Sequence, residues 1–144
     1  MFRTLVLLSL AALAPLCHAD GNTDPVGPDR VVYHFSAGVE QASAGLEYVR
    51  NHLEANPKAV IVVVAHAAGV DFLMKDAKSG RGNPFRQAVE DLQLQGVTFR
   101  VCEITLRERN LQRSQFLAGL EFVPSGVAEI ARLQAREGYA YIKP

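Results

Sequence analysis

Cys102 is the residue whose type and position point most directly to chemistry. It ends a stretch, residues 97–102, whose apolar pattern predicts a β-strand. Thr105 and Glu108 then match a capping box, which predicts that a helix begins within a few residues. A thiol at the amino end of a helix meets the positive end of the backbone dipoles, which favours the reactive thiolate. The sequence therefore predicts a reactive cysteine at position 102, and an inert buried thiol is the alternative.

Histidine and arginine side chains are predicted to accompany Cys102. His66 ends the second predicted strand and is the better placed proton partner for the thiol, whereas His34 lies inside the first strand. Arg107 and Arg109 follow Cys102 closely and add positive charge that could hold an anionic substrate. Taken alone, each arginine is better explained as a solvated helix residue.

The turn after the first strand, Ser36-Ala37-Gly38, is a second candidate for substrate binding. In open α/β sheets, ligands bind beyond the carboxyl ends of the strands, where the strand order reverses. If the first and third strands are neighbours, this turn faces Cys102 across that crevice. Ser36 and Gly38 are then expected to contact the substrate.

The remaining polar clusters carry weaker signals. The stretch Ser79-Gly80-Arg81-Gly82-Asn83 lacks the Lys-Ser/Thr pair of a P-loop and the three-glycine pattern of dinucleotide-binding folds, so a surface loop is predicted there. The histidines and the cysteine are not spaced as metal ligands usually are. We therefore expect neither a metal nor a cofactor.

The elements that must position these residues alternate between strand and helix. Asn83-Pro84 and Ser125 are predicted to begin two of the helices, and Gly138 is predicted to end the last. The alternation predicts one α/β domain over residues 30–144, with a mostly parallel five-stranded sheet and helices on both faces. The five strands are predicted at residues 31–35, 59–65, 97–102, 120–123 and 139–142.

The N-terminal segment predicts export. An apolar run over residues 5–16 and the small residue Ala19 are typical of a signal peptide over residues 1–19, and residues 20–29 are predicted to be a flexible leader. Cleavage would remove Cys17, so the mature, periplasmic chain would keep one thiol. Lys plus Arg equal Asp plus Glu at 15 each. This balance gives no long-range attraction to nucleic acid or, once the signal is cleaved, to a membrane.

The whole domain beyond the leader resembles the DsrE/DsrF-like family in the order of its elements, and the resemblance is most specific from residue 101 onward. The resemblance implies a parallel α/β sheet, assembly as a homotrimer or homohexamer, and a cysteine that carries sulfur as a persulfide. Cys102 stands where that cysteine falls, although Glu103 and Ile104 follow it where an Asn is usual in the family. The residues that carry the resemblance are Val101-Cys102-Glu103-Ile104-Thr105-Leu106, Phe122-Val123-Pro124-Ser125-Gly126-Val127, Leu133-Gln134 and Gly138-Tyr139-Ala140-Tyr141-Ile142-Lys143-Pro144.

These observations favour an exported sulfur-handling protein. Cys102 would accept or carry sulfane sulfur from a small sulfur-containing anion or from a persulfide donor protein. The alternative is a non-catalytic, oligomeric module of the same fold that binds a small ligand. Whether the chain acts as an enzyme is left open, and a cysteine-dependent redox enzyme is disfavoured because the mature chain has no second cysteine to resolve an intermediate.

Overall fold

The structure, a computed structural model, describes residues 28–144. The predicted signal peptide and all but the last two residues of the predicted leader lie outside this range. No helix within the described range has the length and apolar character needed to cross a membrane. The strands are β1 (Arg30–Phe35), β2 (Val60–Ala65), β3 (Thr98–Cys102), β4 (Glu121–Val123) and β5 (Ala140–Ile142), and the helices are α1 (Val39–Ala55), α2 (Phe85–Leu94), α3 (Glu103–Glu108) and α4 (Gly126–Glu137), with 3₁₀ segments at Ala67–Leu73 and Arg113–Gln115.

The five strands form one sheet in the order β4-β3-β2-β1-β5, and every neighbouring pair is parallel. This confirms the predicted α/β domain. The supposition that β1 and β3 are neighbours is wrong, because β2 pairs with both and lies between them. The chain adds β2, β3 and β4 on one side of β1 and then returns to place β5 on the other side. The strand order therefore reverses between β1 and β5, which is where ligands bind in open sheets of this kind.

Helices cover both faces of the sheet, but unequally. The larger core lies on the face covered by α1, α2 and the first 3₁₀ segment, and includes Phe35, Val63 and Phe99. The opposite face packs against α4 alone, through a small cluster of Val32, Val62, Val64, Ile130, Leu133 and Tyr139. Because side chains alternate along a strand, the even-numbered residues of β1, β2 and β3 point toward α4.

The predicted ends of α4 are confirmed, and so is the start of a helix within a few residues of Cys102, whereas the predicted capping residues of α2 and α3 are wrong. Ser125 caps α4 through a hydrogen bond to its side chain from the Ala128 N–H, and Gly138 ends it with a φ of 70°. In contrast, α3 begins at Glu103, directly after Cys102, so Thr105 lies inside the helix instead of capping it. The residue before α2 is Pro84, and it has no N–H or side-chain acceptor to offer as a cap.

Candidate functional site

Cys102 lies where β3 passes into α3, with its side chain on the α4 face. The residue is 4% exposed, yet it belongs to neither of the two apolar core clusters. Backbone N–H groups of Ile104 and Thr105 at the start of α3, and of Gly126 at the start of α4, are within hydrogen-bonding reach of it. The thiol is therefore enclosed by polar backbone groups of two helix starts.

These donors make the thiolate form of Cys102 more accessible. Burial by itself raises the pKa of the Cys102 thiol, since an apolar surrounding disfavours the thiolate. The N–H groups of Gly126, Thr105 and Ile104, together with the Thr105 hydroxyl, outweigh burial and bring the pKa below its usual value. The Cys102 thiol therefore ionises more readily than burial alone would allow, and this direction of the pKa shift is the one expected of a nucleophile.

Thr105 connects Cys102 to the end of β2. Its side chain is buried at 3% exposure, and its Oγ1 accepts a hydrogen bond of 2.9 Å from the Ala67 N–H. The hydroxyl hydrogen of Thr105 is then available to Cys102. Ala67 has a φ of 50°, which is a left-handed conformation that a residue with a Cβ rarely adopts. Such local strain persists only when the surrounding contacts hold it in place.

Gly126 allows the start of α4 to approach both Cys102 and the end of β2. A Cβ at this position would lie 3.2 Å from the Cβ of Cys102 and 3.2 Å from the Cβ of His66. It would also lie 3.4 Å from Cγ1 of Val64. The absence of a side chain therefore lets the Gly126 N–H reach Cys102. The two equal distances also show that His66 and Cys102 lie on either side of Gly126.

Ion pairs attach α4 to β3 close to this point. Arg100, two residues before Cys102, donates to Glu129 of α4 at 2.5 Å and to Glu121 of β4 at 2.8 Å. Arg132 binds the same Glu129 carboxylate. The hydrogen bond from Arg132 is the largest influence on Glu129 and lowers the pKa of this half-buried acid, with the charge of Arg100 acting in the same direction.

His66 and His34 form a pair on the α4 face. His66 directly follows β2, and its Nε2 lies 2.6 Å from Nε2 of His34 in β1. The two rings are stacked with centroids 4.7 Å apart. Nδ1 of His34 is in turn 2.6 Å from the hydroxyl oxygen of Tyr141 in β5. Three side chains from β1, the end of β2 and β5 thus form one hydrogen-bonded line beside the thiol.

Both imidazoles are held in the neutral form. Burial is the largest cause and lowers the pKa of His34 to about 4, with His66 and Lys143 adding to the shift. The pKa of His66 is lowered for the same two reasons, first burial and then the charge of Lys143. A neutral imidazole has one donor and one acceptor nitrogen, so each ring can both give and take a proton.

The predicted arginines have different surroundings. Arg109 forms an ion pair of 2.7 Å with Asp71 and donates to the Ala67 carbonyl at 3.0 Å, so it supports the turn after β2. Arg107 is exposed and lines a shallow cleft on the flank of α3, together with Arg113, and this cleft does not include Cys102. Neither arginine contacts the thiol.

The predicted turn at Ser36 and Gly38 does not face Cys102 across a crevice, because β2 lies between β1 and β3. The turn instead starts α1. The Ser36 N–H donates to the Gln41 side chain at 2.9 Å, and Gly38 is the residue before the helix. The sequence did not predict the roles of Thr105 as a donor, of Gly126 or of Tyr141. Tyr141 could be found only from the pairing of β5 with β1.

Two further observations delimit the site. Within residues 28–144, no group of three or more His, Cys, Asp or Glu side chains is arranged to hold a metal ion. A cleft of about 680 Å³ lies between α1, α2 and the segment 79–84. It is thus on the opposite face of the sheet from Cys102, and its lining mixes Glu40 and Glu47 with Arg50 and Arg81.

Comparison with known proteins gives a family and a fold. The family model described as the DsrE/DsrF-like family matches residues 29–144. The structure is similar to that of a protein of unknown function, MTH1491, from Methanobacterium thermoautotrophicum, with 35% identity and a TM-score of 0.72 over 81% of this chain and 99% of that one. It is also similar to the ychN protein from E. coli, with a TM-score of 0.68 at 16% identity over the same shares of the two chains, which is a likeness of fold. No curated protein matches the chain.

Proposed function

The chain belongs to the DsrE/DsrF-like family, which is associated with sulfur relay, and from this premise we propose that it carries sulfane sulfur on Cys102. The observation that supports this most is the set of donors around the thiol. Three backbone N–H groups and the Thr105 hydroxyl stabilise negative charge on sulfur at this position. Both the thiolate that accepts sulfur and the persulfide anion that results are negatively charged species.

The proposed loading step is a thiolate exchange. With thiosulfate as donor, the Cys102 thiolate attacks the sulfane sulfur, one S–S bond forms, the original S–S bond breaks, and sulfite leaves with its electron pair. With an alkyl persulfide as donor, the same attack gives Cys102 persulfide and a thiolate that must take up a proton. We assign the donation of that proton to His66. The Cβ atoms of His66 and Cys102 both lie next to Gly126, so the two side chains are neighbours.

The experiment is sulfur loading followed by mass spectrometry of the intact protein. The wild-type chain is incubated separately with thiosulfate, an inorganic polysulfide and glutathione persulfide, and peptide mapping locates the added mass. We expect one sulfur atom on Cys102, removable by dithiothreitol. Cys102→Ser is the control and should gain none. No adduct on the wild-type protein with any of these donors would contradict the proposal.

The low exposure of Cys102 favours a second candidate, a non-catalytic module of the same fold that binds a small ligand. At 4% exposure, a donor has to displace the edge of the site before it reaches the sulfur. Under this second function, Cys102→Ser would keep full biological activity. Loss of activity in a Cys102→Ser protein that folds normally would support the sulfur carrier instead.

The proposal includes export to the periplasm and assembly with further copies of the chain. Export rests on the N-terminal segment, which lies outside the described residues. Assembly is supported by two exposed apolar side chains, Leu94 at 87% and Val127 at 62%, which association could cover. Fractionation of cells and light scattering of the purified protein would test these two points, with a homotrimer or homohexamer expected.

A further inference from the structure

The line of Tyr141, His34 and His66 connects the surface of the protein with the neighbourhood of Cys102. Tyr141 is 41% exposed, while both histidines are partly buried. The two contacts along the line are each 2.6 Å, which is short for hydrogen bonds between neutral groups. The line crosses the pair β1 and β5, where the strand order reverses.

The hydrogen bonds of this line are compatible with two proton arrangements. In the first, the Tyr141 hydroxyl donates to Nδ1 of His34, and Nε2–H of His34 donates to Nε2 of His66. The Nδ1 of His66 then carries a proton. In the second, every donor and acceptor is reversed, and Nδ1 of His66 is an empty acceptor. Among the described residues, no protein group forms a hydrogen bond with Nδ1 of His66, so it is free to exchange a proton with a bound molecule.

We propose that Tyr141, His34 and His66 form a proton wire between solvent and the sulfur species bound at Cys102. His66 exchanges the proton with that species, and His34 and Tyr141 act through His66. This inference rests on the proposed function of Cys102. It adds that the sulfur donor is a persulfide whose leaving group is a basic thiolate.

The proton balance of the step is complete. The Cys102 thiolate attacks the outer sulfur of an alkyl persulfide, the S–S bond of the donor breaks, and Cys102 persulfide forms. The leaving thiolate takes the proton from Nδ1 of His66. In the same step one proton moves from His34 to Nε2 of His66, another moves from Tyr141 to Nδ1 of His34, and solvent returns a proton to Tyr141, so that neither ring becomes an imidazolate. No group changes oxidation state beyond the sulfur exchange itself.

The electrostatic surroundings keep the wire neutral at physiological pH. Burial and Lys143 lower the pKa values of both histidines, so neither ring holds an extra proton that would block the exchange. The groups that face the histidines are Tyr141 and Lys143 from β5 and the residue after it, and Cys102 from the end of β3. From α4, the group that meets His66 is the uncharged Gly126.

Two donors that differ in their leaving groups test the wire. Glutathione persulfide releases a thiolate, whereas thiosulfate releases sulfite, which is the less basic leaving group and depends less on protonation as it departs. We expect Tyr141→Phe and His34→Gln to slow loading from glutathione persulfide about tenfold and to leave loading from thiosulfate within about twofold of wild type. Tyr48→Phe is the matched control, because Tyr48 is a half-exposed tyrosine on α1, across the sheet, and should change neither rate.

The outcomes separate the wire from the sulfur carrier. Unchanged persulfide loading in both variants, or equal slowing with both donors, would overturn the wire while leaving the function of Cys102 intact. If the wild-type protein loads sulfur from neither donor, both the proposed function of Cys102 and the wire are refuted. If thiosulfate is not a donor, the wire is tested by the solvent deuterium isotope effect on the rate of persulfide loading. We expect this effect in the wild-type protein and its loss in His34→Gln, and an equal effect in both proteins would overturn the wire. If the variants do not fold, nitrogen-15 NMR of the wild-type protein tests the wire without them. A cationic His34 at neutral pH would refute it.

Discussion

Replacing Thr105 by Val should reduce the reactivity of Cys102 without disturbing the shape of its surroundings. Valine is nearly isosteric with threonine, so the packing of the buried side chain is kept while its hydroxyl is lost. The hydroxyl accepts the Ala67 N–H at 2.9 Å, and its hydrogen, which is left available to the sulfur, lowers the pKa of Cys102. The substitution therefore removes one donor to the thiolate and leaves one backbone N–H without its acceptor.

The size of both effects follows from these contacts. Ala67 is an exposed residue, so water can partly replace the lost acceptor, and we expect a cost of about 1 kcal/mol of folding free energy, the low end for an unsatisfied donor. A hydrogen bond to a charged group contributes about 1.5–3 kcal/mol, and we expect the lower end because the three N–H donors to Cys102 remain. This corresponds to about a tenfold smaller thiolate population at a pH below the pKa. A more basic thiolate is also a better nucleophile, so the alkylation rate at fixed pH should fall only about threefold.

Thr105→Ser is the matched control, because it keeps the hydroxyl and loses one methyl group, at a cost of about 1 kcal/mol. Alkylation by iodoacetamide is measured against pH for wild type, Thr105→Val and Thr105→Ser, and urea unfolding gives their stabilities. The pH midpoint should move upward in Thr105→Val and stay in place in Thr105→Ser. If the two variants have the same midpoint, the Thr105 hydroxyl does not act on the thiol and this reasoning is refuted.

Two other perturbations test the same surroundings. Gly126→Ala should lower the free energy of unfolding by about 1 kcal/mol, since overpacking costs more than the better helix propensity of alanine returns. It should also slow alkylation of Cys102, because the new Cβ, 3.2 Å from the Cβ of Cys102, pushes the Gly126 N–H away from the sulfur. Unchanged urea unfolding and alkylation curves would contradict both expectations. Acidification should destabilise the fold as pH falls from about 6.5 to about 4, because His34 in the unfolded chain takes up a proton near the ordinary histidine pKa of 6.5, whereas in the folded chain it stays neutral until about 4. The urea midpoint measured across this range should depend less on pH in His34→Gln, and an equal dependence would count against a lowered pKa.

The elements of the fold could be predicted because each leaves a local pattern. The run Val60–Ala65 is apolar on both faces, and it is the strand in the middle of the sheet. Ser125 and Gly138 mark the two ends of α4 as predicted. The order of the strands has no such local signal, since a strand that pairs with β2 and one that pairs with β3 have the same pattern. The neighbourhood of the Ser36 turn was therefore predicted incorrectly.

The polar residues of the site were predictable only as far as their chain position determines them. Cys102 and His66 end adjacent strands, and that position indicated that they belong together. Arg109 was expected to bind substrate, but its partner Asp71 lies far away in the sequence and the fold brings them together at 2.7 Å. Tyr141 could not be placed beside His34 because that contact depends on β5 pairing with β1 across the whole length of the domain.

The register of the strands explains why a thiol, two histidines and a tyrosine meet at one place. Val32 pairs with Tyr141, and Phe35, Ala65 and Val101 lie in one row, so His66 and Cys102 follow side by side on the α4 face. The side chain of Val101 enters the larger apolar cluster, whereas Cys102 points to the opposite face and belongs to neither apolar cluster. It lies on the face that one helix covers, where a glycine at the start of that helix brings its N–H to the sulfur. A residue that merely packed would not need those donors, and this argues that the ionised form of Cys102 is the form the fold stabilises.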